Sequence, residues 1–233
     1  MTPIPYTHAN TALTAHLAHP ASKPRAAVLI FPTIANLTPA ITRRAEMLAD
    51  AGYLALIADF YGETPADFAS AQPLAAGLRA DPDHYRARLT AALTALQSLP
   101  QAADLPIATI GYCMGGQAAL ELARSGADIA AAVSFHGLLD TKLPALPDAV
   151  KARLLVCHGD ADPLVPREQV LGFWQEMDLA GANWHFHAYS GVKHGFTDPA
   201  SDARGIPAVA YNPSADRQSW AAMMGLFDET FAL

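Results

Sequence analysis

Three segments hold residues able to do covalent chemistry. They are Gly111-Tyr112-Cys113-Met114-Gly115-Gly116, His158-Gly159-Asp160-Ala161-Asp162-Pro163-Leu164-Val165-Pro166 and Lys193-His194-Gly195-Phe196. A thiol is mostly protonated near neutrality, so a nucleophilic cysteine needs an imidazole to take or share its proton. The imidazole needs a carboxylate that fixes its tautomer and stabilises its charged form. Cys113, Asp162 and His194 supply these groups in the order nucleophile, acid, base. That is the chain order of α/β-hydrolase triads. Asp162 is the better acid than Asp160 because it lies far enough into its loop to reach back across the strand ends. His136 and His158 follow earlier strands and read as wall or core residues.

Each residue also has a plainer reading. A lone G-x-C-x-G is often a buried cysteine in a tight turn. An aspartate before Pro163 is often a turn or cap residue, and with nine histidines in the chain a loop histidine is cheap. The common order of the three segments outweighs these readings. A phosphate cradle is disfavoured, since no G-x-G-x-x-G and no Lys followed by Ser or Thr is present. No histidine pair at i,i+4 or H-E-x-x-H spacing occurs, so no metal site is expected.

The elements that must position these residues alternate. Residues 105–110 form an apolar run bounded by turn formers, which predicts a buried strand, and Gln117 to Arg124 predicts a helix stopped by Ser125-Gly126. Cys113 then sits at a sharp strand-to-helix turn with glycines two residues away on either side, the pattern of a nucleophile elbow. Strands are predicted at 26–31, 53–58, 129–135, 152–157 and 184–189, with Thr11 to Leu17 as one member of a hairpin. Helices are predicted at 39–51, 81–98, 167–179 and 213–231, the last with Trp220, Met224 and Phe227 on one stripe. Residues 60–80 read as helical pieces broken at Pro65 and Pro73. Alternating strands and helices imply a mostly parallel sheet with helices on both faces, in a single α/β domain spanning 1–233. Functional residues in such sheets collect at the carboxyl ends of the strands.

Composition fits an enzyme. Hydrophobic residues make up 52% and charged residues 16% of the 233-residue chain, enough for a sizeable core. A net charge of −7 disfavours nucleic acid or an anionic membrane as partner. The only cysteines, Cys113 and Cys157, fall on different strands or their ends, so no disulfide framework is read. No secretory signal or membrane span is read either, and a cytoplasmic enzyme acting on a small molecule is the expectation.

The motifs G-Y-C-M-G-G, H-G-D-A-D-P-L-V-P and K-H-G-F together resemble the dienelactone hydrolase family of α/β-hydrolases. The likeness extends to Ala58-Asp59-Phe60-Tyr61-Gly62 and to residues 210–220, and covers roughly 25–231. It implies a Cys113–Asp162–His194 triad, and an oxyanion hole made by the backbone N–H groups of Ile34 and Met114. Thr33, Tyr61, His136, Phe196 and Asp198 are the candidate substrate-contacting residues. Two positions depart from the members that cleave dienelactones. Thr33 stands where they carry a glutamate that pairs with the resting thiol, and Asp198 stands where they carry a substrate-binding arginine. Arg79 is the one residue that could restore a carboxylate anchor, and its plainer reading, which outweighs that one, is a solvated helix-end arginine. The expected activity is cofactor-free hydrolysis of carboxyl esters or lactones through a thiol-linked intermediate. Phosphotriesters or thioesters as substrates, and a non-enzymatic thiol sensor on the same fold, are the alternatives.

Overall fold

The computed structural model describes residues 1–231. The chain opens with an antiparallel hairpin, β1 (Thr2–His8) and β2 (Thr11–Ala18), running from Thr2 opposite Leu17 to His8 opposite Thr11. β2 also pairs antiparallel with β4 (Leu54–Ile57). The remaining strands run parallel: β3 (Ala27–Phe31), β5 (Ile107–Tyr112), β6 (Ala131–Phe135), β7 (Arg153–Gly159) and β8 (Trp184–Tyr189). The sheet order is β1-β2-β4-β3-β5-β6-β7-β8.

Six α-helices connect or follow the strands: α1 (Pro39–Asp50), α2 (Phe68–Ala80), α3 (Pro82–Gln97), α4 (Met114–Arg124), α5 (Arg167–Leu179) and α6 (Pro213–Thr230). The central strands are apolar on both sides because both faces are covered. Successive residues of β3 show it: Ala27, Leu29 and Phe31 join the core under α2 to α5, while Val28 and Ile30 join the core under α1 and α6.

The helix boundaries follow from their caps. Thr38 and Asp81 accept backbone N–H groups at the starts of α1 and α3, each followed by a proline whose missing donor costs nothing there. Gly52 ends the first helical unit at φ +91°. Pro73 does not break residues 60–80 as the sequence suggests, since α2 runs straight through it. A reciprocal cap between Asp67 and Ser70 holds the start of α2, and Ala71, Ala75 and Leu78 pack its inner face. Ala69, whose carbonyl would have bonded residue 73, is exposed, so water can take over. In α6 the buried stripe centres on Ala215, Ser219, Met223 and Leu226-Phe227, with Trp220 and Met224 flanking it.

Charged groups also fix how the helices sit. Arg124 of α4 bonds Glu121 at 3.0 Å, Glu176 of α5 at 2.8 Å and the Leu139 carbonyl at 2.8 Å, while Arg86 of α3 reaches Glu121 at 2.8 Å. Arg124 and Glu121 are buried while Arg86 and Glu176 are partly buried, so the two inner charges depend on their partners. The network clamps α3 and α5 onto the helix that begins at Cys113.

Gly115 lies where α4 crosses β3: a Cβ there would stand 2.1 Å from the Phe31 carbonyl oxygen. Gly115→Ala is expected to cost about 3 kcal/mol or more, lowering Tm by roughly 10 °C in a thermal melt. In contrast, Gly77 on α2 has open space around its Cβ position. Gly77→Ala is expected to raise Tm slightly, by about 0.5–1 kcal/mol of added stability.

Candidate active site

Cys113 is the hinge between β5 and α4, with φ +58° and ψ −120°. This backbone region is sparsely populated for residues with a side chain. It is held by two acceptors on one donor: the Cys113 N–H faces the Phe135 carbonyl at 3.0 Å and His136 Nδ1 at 3.1 Å. The glycines around it permit the close packing, since a Cβ on Gly111 would fall 1.8 Å from the Gly115 carbonyl oxygen. Helix α4 starts at the next residue, and its first N–H, that of Met114, faces the sulfur.

His194 follows β8 in a loop held by a short parallel bridge. Its N–H bonds the Ala208 carbonyl and its own carbonyl accepts the Ala210 N–H, both at 3.1 Å. Its Nδ1 lies 2.7 Å from Asp162 Oδ2, with both side chains buried. Asp162 Oδ1 accepts the Leu164 N–H at 2.8 Å, so both carboxylate oxygens are engaged. Asp160, two residues earlier, turns outward and pairs with Arg167. The other ring nitrogen of His194 is buried without a fully formed hydrogen bond, and the group it faces is the Cys113 thiol.

Burial pushes the Cys113 thiol up and is the largest single influence on it, while the facing His194 charge pulls it down. Hydrogen bonds from His194 and from the N–H groups of Met114 and Ile34 add to that effect, and the thiol ends below its ordinary value. Burial likewise works against a charged His194. The thiolate and Asp162 overcome it and raise the imidazole to about 10. Both shifts run in the same direction, each group drawing the other toward its charged form. Cys157 shows burial acting with little opposition, its thiol driven up to about 12.

The loop that presents Ile34 is built around a buried amide. Asn36 sits at φ +60° and donates to Asp59 at 2.7 Å and to the Glu63 carbonyl at 3.2 Å, while accepting the Phe60 N–H. Asp59 also takes the N–H groups of Thr14, Tyr61 and Gly62. Sequence patterning placed Asp59 at the end of a strand but gave no sign of this partner.

His136 is the other residue whose importance patterning understated. Because Nδ1 accepts from Cys113, the ring proton is on Nε2, which donates to Thr197 Oγ1 at 2.9 Å. Burial and the nearby His194 charge hold its pKa well below the usual imidazole value, so it stays neutral. The Thr197 carbonyl is held in turn by Arg43 and Arg44 at 3.1 and 3.0 Å. The elbow and the histidine loop are thus tied through one neutral ring.

A cavity of about 770 Å³ opens onto Cys113 and His194. Thr33, His136 and Asp198 line it. Thr33 Oγ1 accepts the Ala35 N–H within its own turn at 3.3 Å. Two expected substrate contacts lie elsewhere. Tyr61 packs behind Met114, its hydroxyl 3.8 Å from Met114 Sδ. Phe196 is wholly buried, edge-on to His136 and Tyr189, because the chain turns inward at positive-φ Gly195. Asp198 forms an ion pair with Arg204, so it is not the bare anion its position suggested. His158 lies buried against Phe186. Among the described residues, no group of three His, Cys, Asp or Glu side chains could hold a metal ion.

A strained cysteine at a strand-to-helix turn, faced by a buried His–Asp pair, is what the family's motifs led one to expect, and the dienelactone hydrolase family model matches residues 13–231. The chain belongs to the dienelactone hydrolase family. It is 30% identical over 218 residues to a probable 2-oxo-3-(5-oxofuran-2-ylidene)propanoate lactonase of Bradyrhizobium sp, spanning 88% of this chain and 85% of that protein. Two solved structures superpose closely. One, named m3DLH, is 39% identical with a TM-score of 0.92, covering 99% of this chain and 98% of the other. The second is a dienelactone hydrolase-like promiscuous phosphotriesterase from metagenomic libraries, 36% identical with a TM-score of 0.91, covering 98% and 97%. As a dienelactone hydrolase family member the chain has the α/β-hydrolase fold and is a hydrolase acting on ester bonds. Among the described residues, no helix is long and apolar enough to cross a membrane.

The charge state of the pair can be read directly. The rate of Cys113 alkylation by iodoacetamide should rise with pH through an inflection below the ordinary thiol range, because the folded thiol is depressed. In His194→Ala the inflection should move up, since burial then acts without the imidazolium to oppose it. An unmoved inflection would mean that the helix terminus and the N–H groups alone set the thiol.

Proposed function

We propose that this hydrolase is a cysteine enzyme that cleaves carboxyl esters and lactones through a thiol-linked intermediate. The observation that carries the reading is the convergence on one sulfur of the His194–Asp162 pair and the N–H groups of Ile34 and Met114. The Cys113 thiolate adds to the carbonyl carbon, and the carbonyl π electrons move onto oxygen. The two N–H groups stabilise that oxyanion, a contribution of about 3–4 kcal/mol per well-aimed donor in comparable sites. As the intermediate collapses, the C–O bond breaks and the leaving alkoxide takes the proton of the His194 imidazolium. The resulting thioester is attacked by water, which gives its proton to the now neutral His194. Collapse expels the thiolate and releases the acid. Asp162 keeps the Nδ1 proton in place throughout, so that Nε2 faces the reaction.

A second substrate class has its own support. The structure sharing 36% identity with this chain is named a promiscuous phosphotriesterase. A neutral phosphotriester presents a P=O group whose developing negative charge the same two N–H groups could hold, with the same nucleophile. We therefore read the site as one whose electrophile is carbon by preference and phosphorus by tolerance.

Cys113→Ala should lower kcat on a chromogenic ester by about three orders of magnitude or more, while Cys157→Ala should stay within about threefold of wild type. His194→Ala should cost more than His136→Ala. Steady-state rates on esters, lactones, thioesters and phosphotriesters check this, with circular dichroism showing that each variant is folded. A folded Cys157→Ala protein without activity, or equal losses at the two histidines, would overturn the assignment.

A further inference from the structure

The walls of the cavity carry a pattern that the triad does not explain. Phe68, Gln72, Ala76 and Arg79 of α2 recur every three or four residues and line one side. Ile206 and Val209 line another, on the segment that braces His194. Most of this surface is apolar. Its cations are three arginines, Arg44, Arg79 and Arg204, and each has a carboxylate beside it. Arg44 is buried against Asp216, Arg204 is bonded to Asp198, and Arg79 stands 4.0 Å from Asp140. Asp140 is itself fixed by Gln117 Nε2 at 3.1 Å. Asp67, also in the wall, is committed to capping α2 and has no cationic partner among the ion pairs of the described residues.

An arginine anchors a substrate carboxylate only when its own charge is free. Here a carboxylate ligand would have to displace Asp198 or Asp140, or share the arginine with it at the cost of like-charge repulsion. We propose that Asp198 and Asp140 are specificity-determining residues that mask Arg204 and Arg79, so that the cleft takes neutral esters with extended apolar chains and rejects those ending in a carboxylate. This deepens the ester-hydrolase reading and rests on it. The apolar stripe supplies attraction to a chain, while the masked arginines withhold attraction from an anion.

The test compares para-nitrophenyl octanoate with mono-para-nitrophenyl suberate, which differ only in a terminal methyl or carboxylate. Wild type should show kcat/KM higher for the octanoate by about tenfold or more, with the gap narrowing as salt is raised. Asp198→Asn and Asp140→Asn each keep the side-chain oxygen that serves as hydrogen-bond acceptor, and should narrow the gap by about fivefold or more through a gain on the suberate. Ala76→Trp, filling the stripe, should lower the ratio of octanoate to acetate turnover. A second measurement does not depend on turnover: protection of Cys113 from iodoacetamide by methyl heptyl ketone, against the keto acid in which a carboxylate replaces its terminal methyl. The ketone should protect better in wild type, and the keto acid should gain in the two Asn variants. The masking proposal is overturned if wild type prefers the suberate or the keto acid, or if both Asn variants leave the preferences unchanged. Failure of the ester-hydrolase reading looks different: no turnover of either ester, with the neutral ketone still protecting the thiol.

Discussion

The backbone of Cys113 is held at φ +58°, and the rest of the site is arranged around keeping it there. A residue with a side chain in that region costs about 1–3 kcal/mol and persists only where its surroundings over-determine it. Three features do so. The Phe135 carbonyl and His136 both receive its N–H. Gly111, Gly115 and Gly116 let β5, α4, β3 and the turn after β6 approach more closely than any Cβ would allow. The Arg124 network then locks α4 against its neighbouring helices. The sulfur is consequently presented at the head of a helix with little freedom to turn away.

The candidate catalytic groups come from loops that share no sequence neighbourhood, yet they are coupled through polar contacts that are mostly buried. His136 joins the elbow to Thr197, and Thr197 is joined to α1 by Arg43 and Arg44. Arg44 continues to Asp216 of α6, so the histidine loop is tied to both helices of one face. On the other side, Asn36 and Asp59 fix the turn that carries Ile34. All of these groups but the half-exposed Arg43 are buried and partnered, which makes the arrangement rigid and also makes single deletions costly, since a stranded buried polar group loses its solvation. Placement of the proposed oxyanion donors and of the proposed base is thus a property of the packed sheet ends and not of local loop preference.

Much of this architecture is legible in the sequence because its signals are local. Apolar runs bounded by turn formers located the central strands, and caps such as Thr38-Pro39 and Asp81-Pro82 located helices within a residue or two. The order Cys113, Asp162, His194 predicted a meeting that the folded chain shows at 2.7 Å between the last two. What could not be read was tertiary. Nothing local says that Pro73 would be carried inside a helix by a cap and an apolar face, or that Asn36 would find Asp59. Phe196 looked like a wall residue because it follows His194, but the positive φ of Gly195 turns it into the core. The partner of Asp198 was equally hidden: Arg204 lies on a short helical turn whose fold no periodicity announces.

Thr33 gives the resting enzyme its character. Its hydroxyl accepts the Ala35 N–H and it brings no charge to the sulfur. With no carboxylate there, the partner left to the thiol is His194, and each draws the other toward its charged form. A thiolate stabilised at rest is always available, but stabilising it also lowers its intrinsic nucleophilicity, so the two effects partly offset each other. The balance favours the ion pair when the reaction consumes it. In the proposed reaction, attack moves negative charge from sulfur to an oxygen facing the same two N–H groups, while a protonated His194 holds the proton the leaving group needs. On that proposal, donors that cradle the resting sulfur are positioned for the oxyanion before any substrate arrives, and little reorganisation is left for the chemical step.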